Sequence, residues 1–208
     1  VAGQTHNCKK LVKNFYSKVC DHIVESSTIE SAEMAKLYEN IFRVVNISLA
    51  NETKEICKKI KIDFNEVLKL ASTKPFGFMP FEPGPGAGGH CIPVDPFYFN
   101  WYLKRKKINS NFIEAAEKIN TQMPNKIFNQ ITKLLSKNKI FKKEKILFLG
   151  LAYKKNIGDS RNSASLDIFK FFKQNNYNVD YDDNFIKNIY IKNNLYRSKN
   201  LNSLKKYK

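Results

Sequence analysis

The sequence predicts an α/β chain in which an all-helical part is followed by the start of a parallel α/β domain. Three observations predict this fold class. Apolar residues recur at helical spacing through most of 8–137. The segment 145–150, in which consecutive apolar residues follow Lys145, is typical of a strand buried on both faces of a parallel sheet. A further helical pattern and another short strand complete a βαβ unit of roughly 35 residues.

The helical part contains five predicted helices. They are expected at 8–20, 29–60, 63–72, 96–107 and 111–137. Ser and Thr side chains at 26–28 offer N-caps for the second helix, whose apolar positions are spread widely enough for burial on most sides. Because these apolar positions cover more of the helix surface than one core face requires, the second helix is also predicted to form most of a homodimer interface. A short extended stretch is expected at 22–24, and a bend at Pro124 in the fifth helix.

The α/β part is expected to have strands at 145–150 and 177–181 with a helix at 163–174 between them. A polar segment rich in Lys and Asn follows, and no further element is predicted there. One βαβ unit is too small for a sheet with both faces covered, so we expect this second domain to be cut short.

The composition of the 208 residues favours a folded chain without a membrane segment. Hydrophobic residues make up 42%, which excludes a disordered or collagen-like chain. The longest apolar run, 146–153, is far shorter than the ~18 residues that span a bilayer, and the first residues do not form a secretory signal. The four cysteines lie far apart without a CxxC pair, so neither a disulfide framework nor a metal site is expected. These features predict a cytoplasmic protein with no membrane partner, and the missing initial Met indicates a chain that begins inside a larger one.

Positive charge is concentrated in the second half of the chain. Residues 1–102 hold 12 basic and 11 acidic side chains, whereas 103–208 hold 24 and 8. Such asymmetry could indicate a surface for nucleic acid, a membrane or an anionic ligand. The same half is also rich in Asn, Ile and Tyr, so a generally biased composition and a solvated basic surface are favoured. No recognised nucleic-acid-binding motif is present, and we expect no nucleic-acid partner.

The most informative segment is the loop at 73–96, which contains most of the Gly and Pro residues. Gly84, Gly86 and Gly89 match the letters of the dinucleotide-binding pattern GxGxxG. That pattern requires a strand before it and a helix after it, whereas prolines flank this loop, so we reject the match. Together with Gly88, these glycines supply backbone that a ligand can approach closely and that can point N–H groups at it.

Two side chains of this loop can carry chemistry. Cys91 directly follows the glycines, and a thiol in an open loop that is rich in donors can act as a nucleophile. Asp95 lies four residues further on and could accept a proton or orient a water molecule. An arbitrary free cysteine is usually a small buried hydrophobe, but the glycine-rich context favours the nucleophile.

Three segments together resemble the UDP-glucose/GDP-mannose dehydrogenase family of nucleotide-sugar dehydrogenases. Residues 84–98, GPGAGGHCIPVDPFY, resemble the catalytic-cysteine signature of that family. Residues 31–52 resemble its central helix, and residues 145–168 resemble the opening of its UDP-binding domain. The segments occur in the family order and the match covers most of 1–182. The pattern at 90–93, His-Cys-Ile-Pro, resembles the branch that acts on UDP-N-acetylglucosamine or UDP-N-acetylmannosamine.

The resemblance implies three parts of the chain. Residues 1–27 would be a remnant of an N-terminal NAD-binding domain, 28–140 a central helical domain for dimerisation and the catalytic cysteine, and 141–208 an incomplete, Rossmann-like UDP-binding domain. The implied activity is NAD-dependent oxidation of the C6 alcohol of a UDP-sugar to the carboxylate in two steps, for polysaccharide biosynthesis. Because the NAD-binding domain is missing, we expect this chain alone to be inactive. A catalytically inactive UDP-sugar-binding or dimerisation module is the alternative.

The resemblance also implies catalytic roles for four residues. Cys91 would attack the intermediate aldehyde and form a thioester. Lys36 and Asn40, which share one helix face at i and i+4, would stabilise the oxyanion at C6. Because Lys36 occurs in an otherwise apolar helix, we expect it to be more than a solvated surface lysine. Asp95 would be the base or orient the hydrolytic water.

Substrate contacts are implied for the glycines of the loop and for two cations. Lys154 and Arg161 would contact the UDP moiety, since both side chains bind phosphate. Asp159 is expected to hold their loop in shape through Arg161. His90 is interpreted as a loop residue without a catalytic role. The aromatic residues expected in the core rather than against a ligand are Phe97, Tyr98 and Trp101.

Overall fold

A computed structural model describes residues 1–199, with six helices and four short strands in that range. The helices are α1 (His6–Tyr16), α2 (Ile29–Lys59), α3 (Phe64–Ala71), α4 (Asp95–Arg105), α5 (Asn111–Lys137) and α6 (Ala164–Gln174). The strands are β1 (Ile146–Leu149), β2 (Val179–Asp182), β3 (Asn188–Ile191) and β4 (Asn194–Arg197). The predicted α/β fold class is confirmed, and each predicted helix is present.

Side-chain oxygen atoms cap several helices close to the predicted starts. The hydroxyl of Thr28 accepts a hydrogen bond from the backbone N–H of Ser31 at 3.0 Å, at the start of α2. Asp63 caps α3, and Ser163 accepts from the N–H of Leu166 at the start of α6. Such caps satisfy N–H groups that have no partner within the helix, which is why they fix where a helix begins.

The helical part is built on α2 and α5, which pack against each other and against α4. Val44 of α2 is fully buried, and Ala116 and Met123 of α5 are almost fully buried. The hydroxyl of Ser48 donates to the carbonyl of Ala116 at 3.1 Å and so joins the two helices at a buried position. Helix α5 continues through Pro124 to its end at Lys137.

The α/β part confirms the predicted βαβ unit. Strands β1 and β2 are parallel, with Ile146 opposite Val179, and α6 lies between them in the sequence. The core of this part is aromatic, since the rings of Phe148 and Phe172 meet edge to face at 5.4 Å. Phe128 of α5 packs on Phe172 at 4.9 Å, so the helical part and the α/β part share a hydrophobic contact.

The structure corrects two predictions about the strands. Leu149, at the end of β1, is 71% exposed, so this strand is not buried on both faces along its length. Residues 22–24, where a short extended stretch was predicted, belong to no helix or strand. The segment in which no element was predicted contains an antiparallel hairpin of β3 and β4, and Ile189 and Ile191 of β3 are buried against the α/β core. The last nine residues of the predicted 141–208 domain lie outside the described residues.

Helix α2 is less buried in the single chain than its sequence predicted. One of its faces packs on the rest of the helical part, but several large apolar side chains of the helix are exposed. They are Tyr38, Phe42, Leu49 and Ile56. The homodimer through this helix stays a prediction. Among the described residues, no helix is both long enough and apolar enough to cross a bilayer.

Candidate active site

Glycines let the cysteine loop lie directly against the α/β part. Gly89 has a φ of +94°, and a Cβ on it would lie 2.7 Å from the ring of Tyr153. A Cβ on Gly88 would lie 2.7 Å from the carbonyl oxygen of Asn162. Side chains at these positions would clash with the α/β part, so glycine is required for this close approach. The predicted contacts of the glycines with substrate remain a prediction.

Two buried asparagines of the long helices hold the start of the loop. Asn51 of α2 accepts the N–H of Gly84 at 2.9 Å, and Asn120 of α5 accepts the N–H of Ala87 at 2.6 Å. The amide of Asn120 also approaches the carbonyl of Ala87 at 3.4 Å. Sequence reasoning missed both residues. The available signal was a polar residue within the apolar pattern of a helix, because a buried amide has to find hydrogen-bond partners.

Cys91 is exposed and lies at the turn that leads into α4. The backbone carbonyl of Cys91 accepts a hydrogen bond from the backbone N–H of Asp95 at 2.8 Å. One hydrogen-bonded turn therefore connects the candidate nucleophile, Cys91, to the candidate base, Asp95. The amide of Asn40 donates to Oδ2 of Asp95 at 3.0 Å, and Asn40 is only 1% exposed. The loop, α2 and α4 therefore meet at Asp95.

Lys36 has different surroundings from those predicted. Its side chain is 64% exposed and its ammonium pairs with Glu39 at 2.9 Å, so the expectation of an apolar environment is wrong. A helical pattern shows which residues share a face but not whether a neighbouring element covers that face. The Glu39 carboxylate raises the pKa of Lys36, and a thiolate at Cys91 adds a smaller contribution in the same direction.

Asp159 organises the connection between β1 and α6. One of its oxygens accepts the backbone N–H and the Nε–H of Arg161, both at 3.0 Å, and the other accepts from Nη2 at 2.8 Å. The prediction that Asp159 shapes this loop through Arg161 is confirmed. The Arg161 side chain, its backbone N–H and His90 hold the pKa of Asp159 far below its usual range. His90 Nε2 lies 2.8 Å from Oδ2 of Asp159, so His90 is more than an isolated loop residue.

Lys154 lines a cavity of about 410 Å³ at the carboxyl ends of β1 and β2. This is where ligands bind in open parallel α/β sheets. Asp183 also lines this cavity, is buried, and accepts the N–H of Leu151 at 2.8 Å. Burial acts to raise the pKa of Asp183, but the N–H donors around it outweigh burial and lower it. Arg161 is exposed and does not line this cavity, so the structure does not bring the two predicted phosphate contacts into one cavity.

The aromatic residues of α4 are not the core residues that the sequence predicted. Tyr98 is 66% exposed and Trp101 is 50% exposed, and their rings stack on each other at 5.5 Å. The guanidinium of Arg105 lies 5.0 Å from the centre of the Trp101 ring. Phe97 is half-buried.

The described residues do not fit NAD. Residues 84–89 form a loop with no strand before them, which agrees with the rejection of the GxGxxG match. The only parallel βαβ unit within 1–199 connects β1 to α6 through 150–163, without the tight glycine turn that brings a pyrophosphate to a helix N-terminus.

Family models match both parts of the chain. The central domain of the UDP-glucose/GDP-mannose dehydrogenase family matches residues 30–122, and the UDP-binding domain of the same family matches 147–207. The chain belongs to this family. The boundary between the two matches agrees with the transition from the helical part to the α/β part.

Individual relatives agree with this membership. A UDP-N-acetyl-D-mannosamine dehydrogenase of Methanococcus maripaludis is 35% identical over 86% of this chain, and a UDP-N-acetyl-D-glucosamine 6-dehydrogenase of Pseudomonas aeruginosa is 35% identical over 89%. The solved structure of a UDP-D-ManNAc dehydrogenase from Pyrococcus horikoshii superposes with a TM-score of 0.78 at 33% identity, covering 88% of this chain and 43% of that one. The chain spans 40% and 44% of the length of the two curated relatives.

Proposed function

We infer that this chain carries the cysteine and part of the nucleotide site of a UDP-N-acetylhexosamine 6-dehydrogenase. The observation that carries the proposal is the meeting of the exposed Cys91 with Asp95, whose carboxylate the buried Asn40 holds. The substrate class is supported by the printed names of the relatives from Methanococcus maripaludis and Pseudomonas aeruginosa. The overall reaction would oxidise the C6 alcohol to the carboxylate, for polysaccharide biosynthesis, with two molecules of NAD as electron acceptors. One would accept the hydride released when the alcohol becomes the aldehyde, and the other the hydride released when the cysteine thiohemiacetal becomes the thioester.

Each residue of the site has a defined task in this reaction. The Cys91 thiolate would add to the C6 aldehyde, because the thiolate is the nucleophilic form of cysteine. The exposed Lys36 ammonium would stabilise the oxyanion that forms, a role that the family resemblance implies for this residue. Asp95, with one oxygen bonded to Asn40, would use its other oxygen to take a proton from the water that hydrolyses the thioester.

Asn40 would therefore act mainly through Asp95. The helical spacing also places Asn40 on one face with Lys36, but one N–H of its amide donates to Asp95. A held carboxylate loses less freedom when it orients a water molecule, which is a positioning contribution.

The nucleotide would be bound by the α/β part. Lys154 stands at the cavity beside the strand ends, and Arg161 presents an exposed guanidinium with donors beyond those that Asp159 engages. Both are proposed to contact the diphosphate, and the loop glycines Gly84 and Gly86 to contact the sugar nucleotide through their backbone. The assembly is proposed to be a homodimer through α2.

The proposal is tested by titrating the 208-residue chain with UDP-N-acetylglucosamine and UDP-N-acetylmannosamine, and with their 6-aldehydes, by calorimetry. We expect the alcohols to bind, and the aldehydes to bind at least about tenfold more tightly because a thiohemiacetal forms with Cys91. Lys154→Ala should weaken all four ligands, whereas Lys187→Ala, on the exposed surface, is the matched control.

Two outcomes would contradict the proposal in different ways. No binding of either nucleotide sugar at millimolar concentration would contradict the nucleotide site. Equal affinity for alcohol and aldehyde would contradict the covalent role of Cys91 and favour the alternative, a UDP-sugar-binding module without chemistry.

A further inference from the structure

The Cys91 loop is fixed to the α/β part by contacts of the two residues that precede the cysteine. His90 Nε2 lies 2.8 Å from Oδ2 of Asp159. The carbonyl of Gly89 accepts a hydrogen bond from the amide of Asn162 at 3.1 Å, and the backbone of Gly89 lies against the ring of Tyr153. All three partners belong to the connection between β1 and α6, which is far from Cys91 in the sequence.

In the hydrogen bond between His90 and Asp159, the histidine is the donor and the carboxylate is the acceptor. Arg161 engages both oxygens of Asp159, and this two-point geometry fixes the plane of the carboxylate. Because an ionised carboxylate can only accept hydrogen bonds, the Nε2 atom of His90 carries the proton and donates. The ring of His90 also meets the ring of Tyr153 edge to face, with centroids 6.1 Å apart, which restricts its rotation.

We propose that His90 and Asp159 are a positioning pair that holds the Cys91 loop on the UDP-binding domain, with Arg161 fixing the acceptor. Neither His90 nor Asp159 is assigned a contact with substrate. The pair acts through the backbone, since a displacement of His90 moves the adjacent Cys91 relative to Lys36 and Asp95, which belong to the helical part. This proposal rests on the proposed role of Cys91 as the nucleophile.

The geometry explains why a histidine at this position is useful. Its side chain is 42% exposed, so the contact is not a consequence of core burial. The links through Gly88 and Gly89 use backbone atoms of the loop, whereas His90, next to the cysteine, adds a bond from a side chain. A charge-assisted hydrogen bond of this kind is stronger than a neutral one.

The test is hydrogen–deuterium exchange of the amides at 84–95 in the 208-residue chain. We expect His90→Ala and Asp159→Ala each to raise exchange at 84–95 about tenfold, the scale of one lost hydrogen bond to a charged group. The double variant should raise it no further than Asp159→Ala alone, since that variant already removes the contact with His90. His90→Gln, which keeps a donor on a side chain of similar reach, should restore protection to within about threefold. Glu25→Gln, in an exposed ion pair with Lys13, is the matched control.

The results separate positioning from a general loss of stability. Positioning predicts faster exchange at 84–95 with the amides of α2 and α5 unchanged, whereas a structural role would raise exchange throughout. Wild-type exchange in either single variant, additive effects in the double variant, or failure of His90→Gln to restore protection would each overturn the proposal. Calorimetry with UDP-N-acetylglucosamine on the same samples distinguishes the two proposals. If the wild type does not bind the nucleotide sugar, the proposed nucleotide site is refuted. The exchange at 84–95 tests the positioning role of His90 and Asp159 independently of that result.

Discussion

At the scale of single residues, the site combines one exposed reactive group with supports that are buried. Cys91 is open to solvent, whereas Asn40, Asn51 and Asn120 lie inside the helical part and use their amides on Asp95 and on the loop backbone. Buried amides are costly unless they are bonded, so the bonds of Asn40 and Asn120 offset the cost of burying these side chains while they hold Asp95 and the loop. Asn51 holds the loop through its oxygen alone, since its Nδ2 has no hydrogen-bond partner among the described residues.

Replacement of Cys91 tests the covalent role directly. Cys91→Ser should remove the tighter binding of the 6-aldehyde, because a hydroxyl is a much weaker nucleophile at neutral pH. Affinity for the alcohol should change by less than about twofold, since an exposed Ser fills nearly the same space. Calorimetry on both ligands makes the comparison, and aldehyde affinity that stays at the wild-type level would contradict the role of the thiol.

Glycine is required at one loop position and replaceable at another. Gly89→Ala should lower the free energy of unfolding by about 2–4 kcal/mol, because its φ is positive and the added Cβ would overlap Tyr153. Gly84→Ala is the matched control, since a Cβ there would meet nothing within 4 Å, and it should change stability by less than about 0.5 kcal/mol. Urea unfolding curves give both values, and equal effects at the two positions would contradict this explanation.

At the scale of elements, α2 supplies both the site and an uncovered apolar face. Asn40 and Asn51 point into the fold, whereas Tyr38, Leu49 and Ile56 are exposed. An exposed apolar face of this extent on a long helix is typical of a protein interface. The predicted dimer would use this face of the same helix whose Asn40 binds Asp95.

A charge on the exposed face of α2 should prevent dimerisation. Leu49→Lys is expected to convert a dimer into a monomer at micromolar concentration, because burying an unpaired ammonium in an interface is costly. Light scattering coupled to size exclusion measures the mass. Tyr190→Lys, on an exposed position of β3, is the control and should stay dimeric. A wild-type chain that is monomeric in this assay would contradict the predicted interface.

At the scale of the whole molecule, the sequence predicted the helices and the order of the two parts well, because both depend on local signals. Thr28 and Ser163 cap helices at the expected places. The apolar run of β1 marks the change from helical spacing of apolar residues to a strand. The hairpin of β3 and β4 was missed, although Ile189 and Ile191 alternate with exposed residues as a half-buried strand requires. Its strands are only four residues long and lie in a segment dominated by Lys and Asn.

Contacts between the two parts could not be predicted from local patterns. The contact of Gly89 with Tyr153 and the bond of His90 to Asp159 join residues that are distant in sequence. The exposed position of Lys36 likewise depends on which elements cover α2. The candidate site was therefore predicted in its residue types but not in how those residues are held.

The pH dependence of stability should include a contribution from Asp159. Its pKa is lowered in the folded chain by Arg161 and His90, whereas in the unfolded chain it titrates near its usual value of about 3.9. The deprotonated form favours folding, so its contribution is present above pH ~4 and is lost as pH falls further towards the lowered pKa. Urea unfolding between pH 7 and 3 should show a steeper loss below pH 4 for the wild type than for Asp159→Asn, and parallel curves would contradict this.

The contact between His90 and Asp159 also sets an order of events in folding. The partners are 69 positions apart, so the loop cannot reach its final conformation until the α/β part has been synthesised and has folded. Helices α2 and α5 can pack on each other earlier, and the segment 84–95 between them in the sequence would still be mobile at that stage. Pulse labelling during refolding should show protection of α2 and α5 before 84–95, so that the reactive thiol is assembled last.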